Sequence, residues 1–363
     1  MRIALINSGL GLLAAAAELH KLRPDADLVL AMDPEGMPWG PRSPQDIADR
    51  SLAAARAAAV YQPDVLVFAC NTGTVHALGP LRAEFEPGVP VVGTVPAIKP
   101  AAAHSGSVAV WATVSTTGSA YQRQLIADFA GPARVTAVAC PGLADVVDSG
   151  HETGIAVAVA HAAARTPADC GAVVLGCTEY ELAAEMIAAA LPGAVLFGSA
   201  AAVAAQALRR TAAGRAEAAR TETSRTETSR TETARAETSR TETARADTSR
   251  TETARAEASG TETSRADTSG SRAGTVRVIL SGRRAHLPRA ALRYPAGRLL
   301  AGLVVGPDDD PAYDPAHDAA YEPVNDSGGE PARDRPFERA AGRPVPGSPS
   351  TPVTGSPSES VTA

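Results

Sequence analysis

Short apolar runs alternate with longer amphipathic stretches along the first 210 residues of the chain. The apolar runs are continuous in Val, Ile, Leu and Ala, which is typical of strands buried on both faces of a sheet. Strands that alternate with helices predict an α/β fold with mainly parallel sheets. The predicted strands are Ile3–Ile6, Leu28–Ala31, Val65–Ala69, Val91–Gly93, Val108–Trp111, Val135–Ala139, Val173–Leu175 and Val195–Phe197. The clearest helix patterns are Pro44–Tyr61, Tyr121–Phe129, Thr153–Arg165 and Leu182–Ala190.

Two polar segments follow this pattern. Residues 211–271 consist almost entirely of Thr, Glu, Arg, Ser and Ala with a five-residue period, as in Thr221–Arg225. This period matches neither helix nor strand, and the segment has little to bury, so we predict a disordered or weakly helical insertion. A docking arm is the alternative to an expanded loop. Residues 306–363 are predicted to form a disordered tail. Between the two, Thr275–Gly282 has a strand pattern that we expect to return to the first sheet.

Composition and charge exclude several classes of function. The net charge is −6, and the Arg residues are spread among Glu residues, so no basic patch points to nucleic acid. No apolar run approaches the roughly 20 residues that a membrane span needs. The N-terminus enters a strand pattern without a signal-peptide cleavage site, which predicts a cytoplasmic, reducing location. The four cysteines are therefore expected to be free thiols.

Two of these cysteines lie in segments that share one sequence pattern. In 65–74 and in 173–180, a buried strand ends in a Cys followed by small polar residues and a helix. Parallel α/β sheets form their sites at the carboxyl ends of strands. A helix N-terminus stabilises anions, so we expect it to lower the pKa of each thiol and to help bind a carboxylate. Hydrogen-bond donors for that carboxylate are Asn71, Thr72, Thr74 and Thr178.

A facing pair of thiols suits proton transfer at an amino-acid α-carbon. Racemisation needs one base on each face of that carbon, in opposite protonation states. Cys70 and Cys177 are the candidate catalytic pair. The usual alternative is a Schiff base to pyridoxal phosphate. The only lysines, Lys21 and Lys99, do not lie at comparable strand ends, so the sequence predicts a reaction without a cofactor.

These motifs resemble those of glutamate racemases, in the aspartate/glutamate racemase superfamily. The resemblance rests first on Ala69–Thr72 and Leu175–Thr178, and it covers about 1–210 and 272–305. Supporting stretches are Asn7–Gly11 (an Asp-Ser-Gly opening in the family), Pro38–Gly40 (Pro-Tyr-Gly), Val95–Ala97, the string Thr113, Thr116, Ser119 and Tyr121, Ala139–Pro141, and the closing strand Thr275–Gly282.

The resemblance implies two pseudo-symmetric parallel-sheet α/β domains with the active site in the cleft between them. Residues 1–95, completed by 198–210 and 272–305, would form the first domain, and 96–197 the second. It also implies cofactor-independent interconversion of L- and D-glutamate, which supplies peptidoglycan and so cell-wall biogenesis and cell shape. Family members often dimerise, so a homodimer is implied as well.

The resemblance assigns the substrate site by position. The residues so assigned are Asn7, Ser8, Pro38, Trp39, Gly40, Asn71, Thr72, Thr113, Thr116, Thr178 and Glu179, with Trp39 as part of a lid. Two of them depart from the family, which has Asp in place of Asn7 and His in place of Glu179. A carboxylate at 179 raises the pKa of the nearby thiol by like-charge repulsion. Related aspartate racemases carry Glu there, so aspartate stays open as the substrate.

Competing interpretations remain open at this point. Gly9–Ala14 fits the G-x-G-x-x-A dinucleotide fingerprint, and Asp33 follows the next strand, which would suit an oxidoreductase. A non-catalytic relative that only binds an amino acid is another interpretation of Asn7 and Glu179. Metal binding is disfavoured, because the cysteines lack Cys-x-x-Cys spacing and the histidines are scattered. Cys140 and Cys170 are interpreted as core residues.

Overall fold

The structure, a computed structural model, describes residues 1–216, 220 and 273–306. Its strands are β1 (Arg2–Asn7), β2 (Asp27–Met32), β3 (Val65–Phe68), β4 (Val91–Gly93), β5 (Ser107–Ala112), β6 (Arg134–Ala139), β7 (Ala172–Leu175), β8 (Val195–Phe197), β9 (Val276–Leu280) and β10 (Arg283–Ala285). Its α-helices are α1 (Leu12–Leu22), α2 (Pro44–Ala59), α3 (Asn71–Phe85), α4 (Ile98–His104), α5 (Ala120–Phe129), α6 (Leu143–Asp148), α7 (Glu152–Ala163), α8 (Ala184–Ala190), α9 (200–216) and α10 (Pro295–Ala301). Two 3₁₀ helices cover Thr178–Ala183 and Arg289–Arg293.

The strands form two sheets of the same topology. The first sheet has the order β10-β9-β2-β1-β3-β4, and the second has the order β6-β5-β7-β8. All pairings are parallel except that of β9 with β10. Within each sheet the first strand along the chain lies between the second and the third, so β3 and β7 occupy equivalent positions. The expected α/β architecture with two pseudo-symmetric parallel sheets is confirmed.

The hydrophobic pattern located these elements closely. All eight predicted strands are present with their ends within one residue of the prediction, and the four predicted helices end within two. The pattern over 182–190 begins with the end of a 3₁₀ helix, because Thr178–Ala183 precedes α8. Helix α9 reaches residue 216, so the first residues of the segment predicted to be disordered or weakly helical are helical. The remaining predictions for 217–271 and 307–363 lie outside the described residues, apart from helical Arg220.

The strand predicted after the repeat returns to the first sheet, as expected. β9 pairs in parallel with β2, with Val278 opposite Leu30. Gly274 leads into β9 at a point where a Cβ atom would lie 2.0 Å from the carbonyl oxygen of Ala26, so only glycine fits this approach. Helix α10 then packs against α1. Residues 273–306 therefore add two strands to the first sheet and a helix against α1. Each sheet with the helices packed on it is called a lobe.

Alternation along the strands divides the core into layers. In the first sheet, Ile3 and Leu5 point to one face and Ala4 and Ile6 to the other. The second sheet behaves in the same way, and Trp111 lies on its inner face. The inner faces of both sheets contribute to one continuous apolar cluster, while each outer face has a cluster of its own. Burial on both faces explains why the central strands of each sheet are almost entirely apolar. Within the described residues, no helix is both long and apolar enough to cross a membrane.

We predict that Val278→Ala destabilises the fold by about 2 kcal/mol, because it removes two buried methyl groups and leaves a cavity beside β2. Val278 is fully buried. Val157→Ala is the matched control, since Val157 is 63% exposed on α7 and Ala is the better helix former. Urea unfolding of both variants measures the difference. Equal stabilities would contradict the assignment of β9 to the core of the first sheet.

Candidate active site

The two cysteines singled out in the sequence lie at the carboxyl ends of the equivalent strands β3 and β7. Cys70 is the N-cap of α3, and its Sγ accepts a hydrogen bond from the backbone N–H of Gly73 at 3.3 Å. Cys177 precedes the 3₁₀ helix Thr178–Ala183. Gly176 turns the chain there, with its N–H donating to the carbonyl oxygen of Trp111 at 2.7 Å. A Cβ on Gly176 would lie 2.6 Å from that same oxygen, so the turn requires glycine.

Both thiols line one cavity of about 350 Å³. Its wall combines loops that follow strands of the first sheet with loops that follow strands of the second. Nine of the thirteen residues predicted for the site are in this wall: Ser8, Pro38, Trp39, Gly40, Cys70, Thr72, Thr113, Cys177 and Glu179. The other four, Asn7, Asn71, Thr116 and Thr178, are buried next to residues of the wall. The cleft between the two sheets is therefore the place where the sequence motifs converge.

A chain of hydrogen bonds runs behind the thiols and joins the two lobes. Asn7 Nδ2 donates to the carbonyl oxygen of Ala69 at 2.7 Å and to Thr178 Oγ1 at 3.1 Å. Thr178 Oγ1 in turn donates to Glu179 Oε2 at 3.3 Å. The thiol of Cys177 donates to the same carboxylate oxygen at 2.8 Å. The residues before Cys70 and after Cys177 are thus tied through the Asn7 amide.

Asn71 is unusual among the residues behind the wall. Its side chain is 2% exposed, and neither atom of its amide has a hydrogen-bond partner among the described residues. Buried polar groups in native proteins are almost always paired. Because Asn71 is flanked by Cys70 and Thr72, which line the cavity, an unpaired amide here suits a polar ligand.

Sequence reasoning missed two carboxylates of the second lobe, Asp145 and Asp148, both of which line the cavity. Asp148 Oδ1 accepts a hydrogen bond from the backbone N–H of Leu10 at 2.6 Å, across the two lobes. A Cβ on Gly9 would lie 2.4 Å from Asp148 Oδ1, so Gly9 makes room for the carboxylate. Both acids are on the short helix α6, just after the motif Ala139–Pro141. Their closeness to this motif in the sequence could have indicated that they belong to the site.

Two interpretations of individual residues need correction. Trp39 is not a mobile lid: it is 1% exposed, its Nε1 donates to Asp33 Oδ2 at 3.0 Å, and its ring packs on Phe68. The indole is held in place and forms a fixed part of the cavity wall. Cys140 is buried, as expected of a core residue, but it also lines the cavity. Cys170 is buried away from that wall, and all four cysteines are free thiols.

The dinucleotide interpretation does not fit the structure. Asp33, its candidate ribose ligand, is 4% exposed and already accepts hydrogen bonds from Trp39, Gly36 and Ser281. At Gly11, a Cβ would lie 2.5 Å from Glu179 Oε1, so a carboxylate occupies the place that a pyrophosphate would approach. Two carboxylates at the glycine turn, Glu179 and Asp148, repel a phosphate.

Other sites in the described residues lack suitable chemistry. No group of three or more His, Cys, Asp or Glu side chains in the described part of the chain is arranged to hold a metal ion. A larger cavity of about 750 Å³ lies between α1, α8 and α10. Its described lining contains no cysteine. The smaller cavity is therefore the candidate active site.

A family model for Asp/Glu/hydantoin racemases matches residues 6–207. The chain belongs to the Asp/Glu/hydantoin racemase family. Glutamate racemase of Pseudomonas entomophila is 36% identical over 198 residues, which is 53% of this chain and 74% of that protein. Glutamate racemase of Herpetosiphon aurantiacus is 34% identical over 191 residues, 51% and 74% of the two chains.

A solved structure supports the same family. The chain resembles Escherichia coli glutamate racemase in complex with L-glutamate and the activator UDP-MurNAc-Ala, with a TM-score of 0.54 and 31% identity. The match covers 58% of this racemase-family chain and 82% of the E. coli protein. The resemblance to glutamate racemases drawn from the motifs is thereby confirmed.

The thiols of this racemase-family chain are less acidic than the sequence suggested. Burial raises the pKa of Cys70 to about 12, with the negative charge of Glu179 as the next cause. The N–H of Gly73 acts in the opposite direction but is outweighed. Burial and Glu179 also raise the pKa of Cys177 well above its usual value. The expected lowering by a helix N-terminus is therefore wrong for the free enzyme, whereas the expected repulsion by Glu179 is confirmed.

The same environment affects the acids of α6. Burial, followed by the charge of Glu179, raises the pKa of Asp148 well above its usual value. Burial also raises the pKa of Asp145. With these acids, Glu179 and three thiols around one cavity, and no Lys, Arg or His in the described wall, the racemase site opposes further negative charge.

We predict that Glu179→Gln accelerates alkylation of Cys70 and Cys177 by iodoacetamide at a fixed pH near 8. Removal of the carboxylate charge lowers both pKa values, so more thiolate is present, and a decrease of one unit gives about a tenfold faster reaction. Mass spectrometry of the labelled peptides measures each rate.

Cys140 provides the internal control for this experiment. It lines the same cavity, and burial raises its pKa to about 12 without a contribution from Glu179. Its rate should be unchanged in Glu179→Gln. Equal acceleration of all three thiols would show a general opening of the cavity instead of a charge effect.

Proposed function

We propose that this chain is a cofactor-independent amino-acid racemase that interconverts L- and D-glutamate, with Cys70 and Cys177 as the two acid/bases. The observation that carries the proposal is that one thiol from each of two equivalent strand ends lines a single cavity. Family membership and the relatives that are glutamate racemases support the reaction and the substrate. In this role the chain supplies D-glutamate for peptidoglycan.

The reaction needs only proton transfers. The thiolate of one cysteine takes the proton from the α-carbon, which leaves a carbanion and a neutral thiol. The thiol of the other cysteine donates its proton to the opposite face and becomes the thiolate. The configuration is inverted, and the two cysteines have exchanged protonation states. No electrons are transferred, and the atoms balance without a further reactant.

Substrate binding provides a charge that the wall itself does not have. The α-ammonium of an amino acid is a cation, and the wall near the thiols contains Asp148 and Glu179. An opposite charge within a few ångströms favours ionised thiols and carboxylates. We infer that the high pKa values of the free enzyme fall when the substrate is bound, so that thiolate forms where it reacts.

The substrate carboxylates need hydrogen-bond donors, because the described wall has no basic side chain. Ser8 and Thr72 line the cavity from the first lobe and Thr113 from the second. Thr113 Oγ1 is hydrogen-bonded to Thr116 Oγ1 at 3.1 Å, which orients it. The amide of Asn71 adds an unpaired donor, and α3 begins at Asn71. Backbone N–H groups at a helix N-terminus bind carboxylates well.

Pro38, Trp39 and Gly40 form the remaining wall in this proposal. Trp39 is held by Asp33, which also pairs with Arg50 at 3.4 Å. The fixed loop limits the length of the substrate side chain and keeps water away from the carbanion.

Glu179 gives the Cys177 side of the site its own proton acceptor. The thiol already donates to Glu179 Oε2 at 2.8 Å. When Cys177 acts as the base, its proton passes first to Glu179, and the thiolate then takes the α-hydrogen. After product release Glu179 loses this proton to solvent and the Cys70 thiolate takes one up, which restores the starting state. Glu at this position is also what favours aspartate as a second candidate substrate, since the resemblance associates it with aspartate racemases.

The cytoplasmic location and the homodimer are part of the proposal, and the homodimer rests on the resemblance alone. Light scattering of the purified full chain tests the homodimer.

We predict that the wild-type chain exchanges the α-hydrogen of glutamate for deuterium in D₂O without any added cofactor, with aspartate as the second-best substrate. Proton NMR on a panel of amino acids measures the exchange. Cys70→Ala and Cys177→Ala should each lower racemisation by about 100-fold or more, because each removes one of two positioned acid/bases.

Cys170→Ala is the matched control for these two variants, since Cys170 is buried but does not line the cavity. It should retain full racemisation. Full activity in both Cys70→Ala and Cys177→Ala would exclude the two-thiol mechanism. Binding of glutamate without any exchange in the wild type would support the non-catalytic alternative instead.

A further inference from the structure

Asn7 is the only side chain in the described hydrogen bonds that joins the segment before Cys70 to the segment after Cys177. Its amide orientation is fixed by its neighbours. The carbonyl oxygen of Ala69 can only accept, so the atom 2.7 Å from it is Nδ2. The N–H of Gly9 can only donate, so the atom that it contacts is Oδ1, which also accepts from Ser8 Oγ at 3.2 Å.

This orientation determines where the next proton in the chain lies. Nδ2 also donates to Thr178 Oγ1 at 3.1 Å, and a hydroxyl has a single proton. Because Asn7 Nδ2 can only donate and a carboxylate oxygen can only accept, Thr178 Oγ1 accepts from Asn7 and gives its proton to Glu179 Oε2 at 3.3 Å. The amide therefore orients a hydroxyl that hydrogen-bonds the carboxylate partner of Cys177.

The cluster is too tight to admit a different arrangement. A Cβ on Gly11 would lie 2.3 Å from Thr178 Oγ1, 2.5 Å from Asn7 Nδ2 and 2.5 Å from Glu179 Oε1. Asn7 is fully buried, and Thr178 and Glu179 are each 4% exposed. No space is left for water to screen a new charge, so the sign of each group matters.

A carboxylate at position 7 conflicts with one at position 179. An ionised aspartate there has no proton to donate, so its oxygen would face the carbonyl oxygen of Ala69 and the Thr178–Glu179 pair. The titratable groups of the surrounding elements that interact with Glu179 or Cys177 are Cys70, Asp148 and Tyr180. All are acids, and none supplies a compensating cation.

We propose that Asn7 is a positioning residue for the racemase, whose neutral, doubly donating amide is required because Glu179 already places a carboxylate beside Cys177. The residues at positions 7 and 179 are thus coupled, because only one of the two can be a carboxylate. This inference rests on the proposed function for its catalytic consequence, but the coupling itself is a property of the free enzyme.

The coupling is tested first without catalysis, by alkylation of Cys177 across pH 6–10 in the wild type, Asn7→Asp, Glu179→Gln and the double variant. We expect Asn7→Asp to slow alkylation by about tenfold near pH 8, which is one unit of pKa. In the Glu179→Gln background the same change should alter the rate by less than about threefold. Rates that multiply independently in the double variant would overturn the proposal.

Asn7→Ala separates charge from structure. It removes both donated hydrogen bonds without adding a carboxylate. A purely structural role of Asn7 would make the alanine and aspartate variants alike at every pH. We expect them to agree at low pH, where the carboxyl group introduced by Asn7→Asp is protonated, and Asn7→Asp to become the slower as pH rises and that group ionises. If Asn7→Asp fails to fold in thermal unfolding, the cycle of Asn7→Ala with Glu179→Gln carries the test, and the alanine effect should then vanish without Glu179.

Deuterium exchange then measures the catalytic consequence in the same variants. We expect kcat/KM of Asn7→Asp to fall by about 100-fold, with a new loss on the alkaline side, and to recover at least about tenfold when Glu179 is also replaced by His. No recovery would overturn the catalytic part. A wild type that exchanges no amino acid would defeat the proposed function, and the alkylation cycle would still decide whether positions 7 and 179 are coupled.

Discussion

One continuous apolar core between the inner faces of the two sheets determines the geometry of everything else. Trp111 and the inward residues of β7 contribute to the same cluster as Leu5 and the inward residues of β3. Two sheets of equal topology that share a core bring the carboxyl ends of equivalent strands to one cleft. Each of those ends carries a cysteine, so the duplication of the fold is also a duplication of the reactive group. The shared apolar core is therefore what brings Cys70 and Cys177 to the same cavity.

Burial of the two thiols and Asp148 beside this core has an electrostatic cost. A low dielectric environment penalises every ionised group in it, and here the penalty raises the pKa of both thiols and of Asp148. The result is a site in which burial opposes ionisation of both thiols and of Asp148, and in which a bound cation favours it. Specificity for an amino acid follows, because the α-ammonium supplies that positive charge.

The sequence predicted the strands and the two site cysteines because the patterns that mark them are local in the chain. Continuous apolar runs marked the strands, and the repeated strand–Cys–polar pattern marked Cys70 and Cys177. Asp148 was not predicted, since its place in the site depends on a contact with Leu10, which lies 138 residues away. The pKa of Cys70 was misjudged for the same reason: the helix N-terminus is a local feature, whereas burial and Glu179 come from the assembled lobes. Trp39 was correctly predicted to line the cavity. Its hydrogen bond to Asp33 was not predicted, because Trp39 was interpreted as part of a lid.

The attachment points of the repeat have a consequence for how this protein can vary. Near the end of α9, Arg215 pairs with Asp64, the residue before β3. At the return, the N–H of Gly274 donates to the carbonyl oxygen of Pro24, shortly before β2. Both points lie at the amino ends of the parallel strands, whereas the cavity lies at the carboxyl ends, about 20 Å away for a six-residue strand. A change in the length of the segment between these two points therefore acts on the amino ends of the strands and leaves the cavity wall in place.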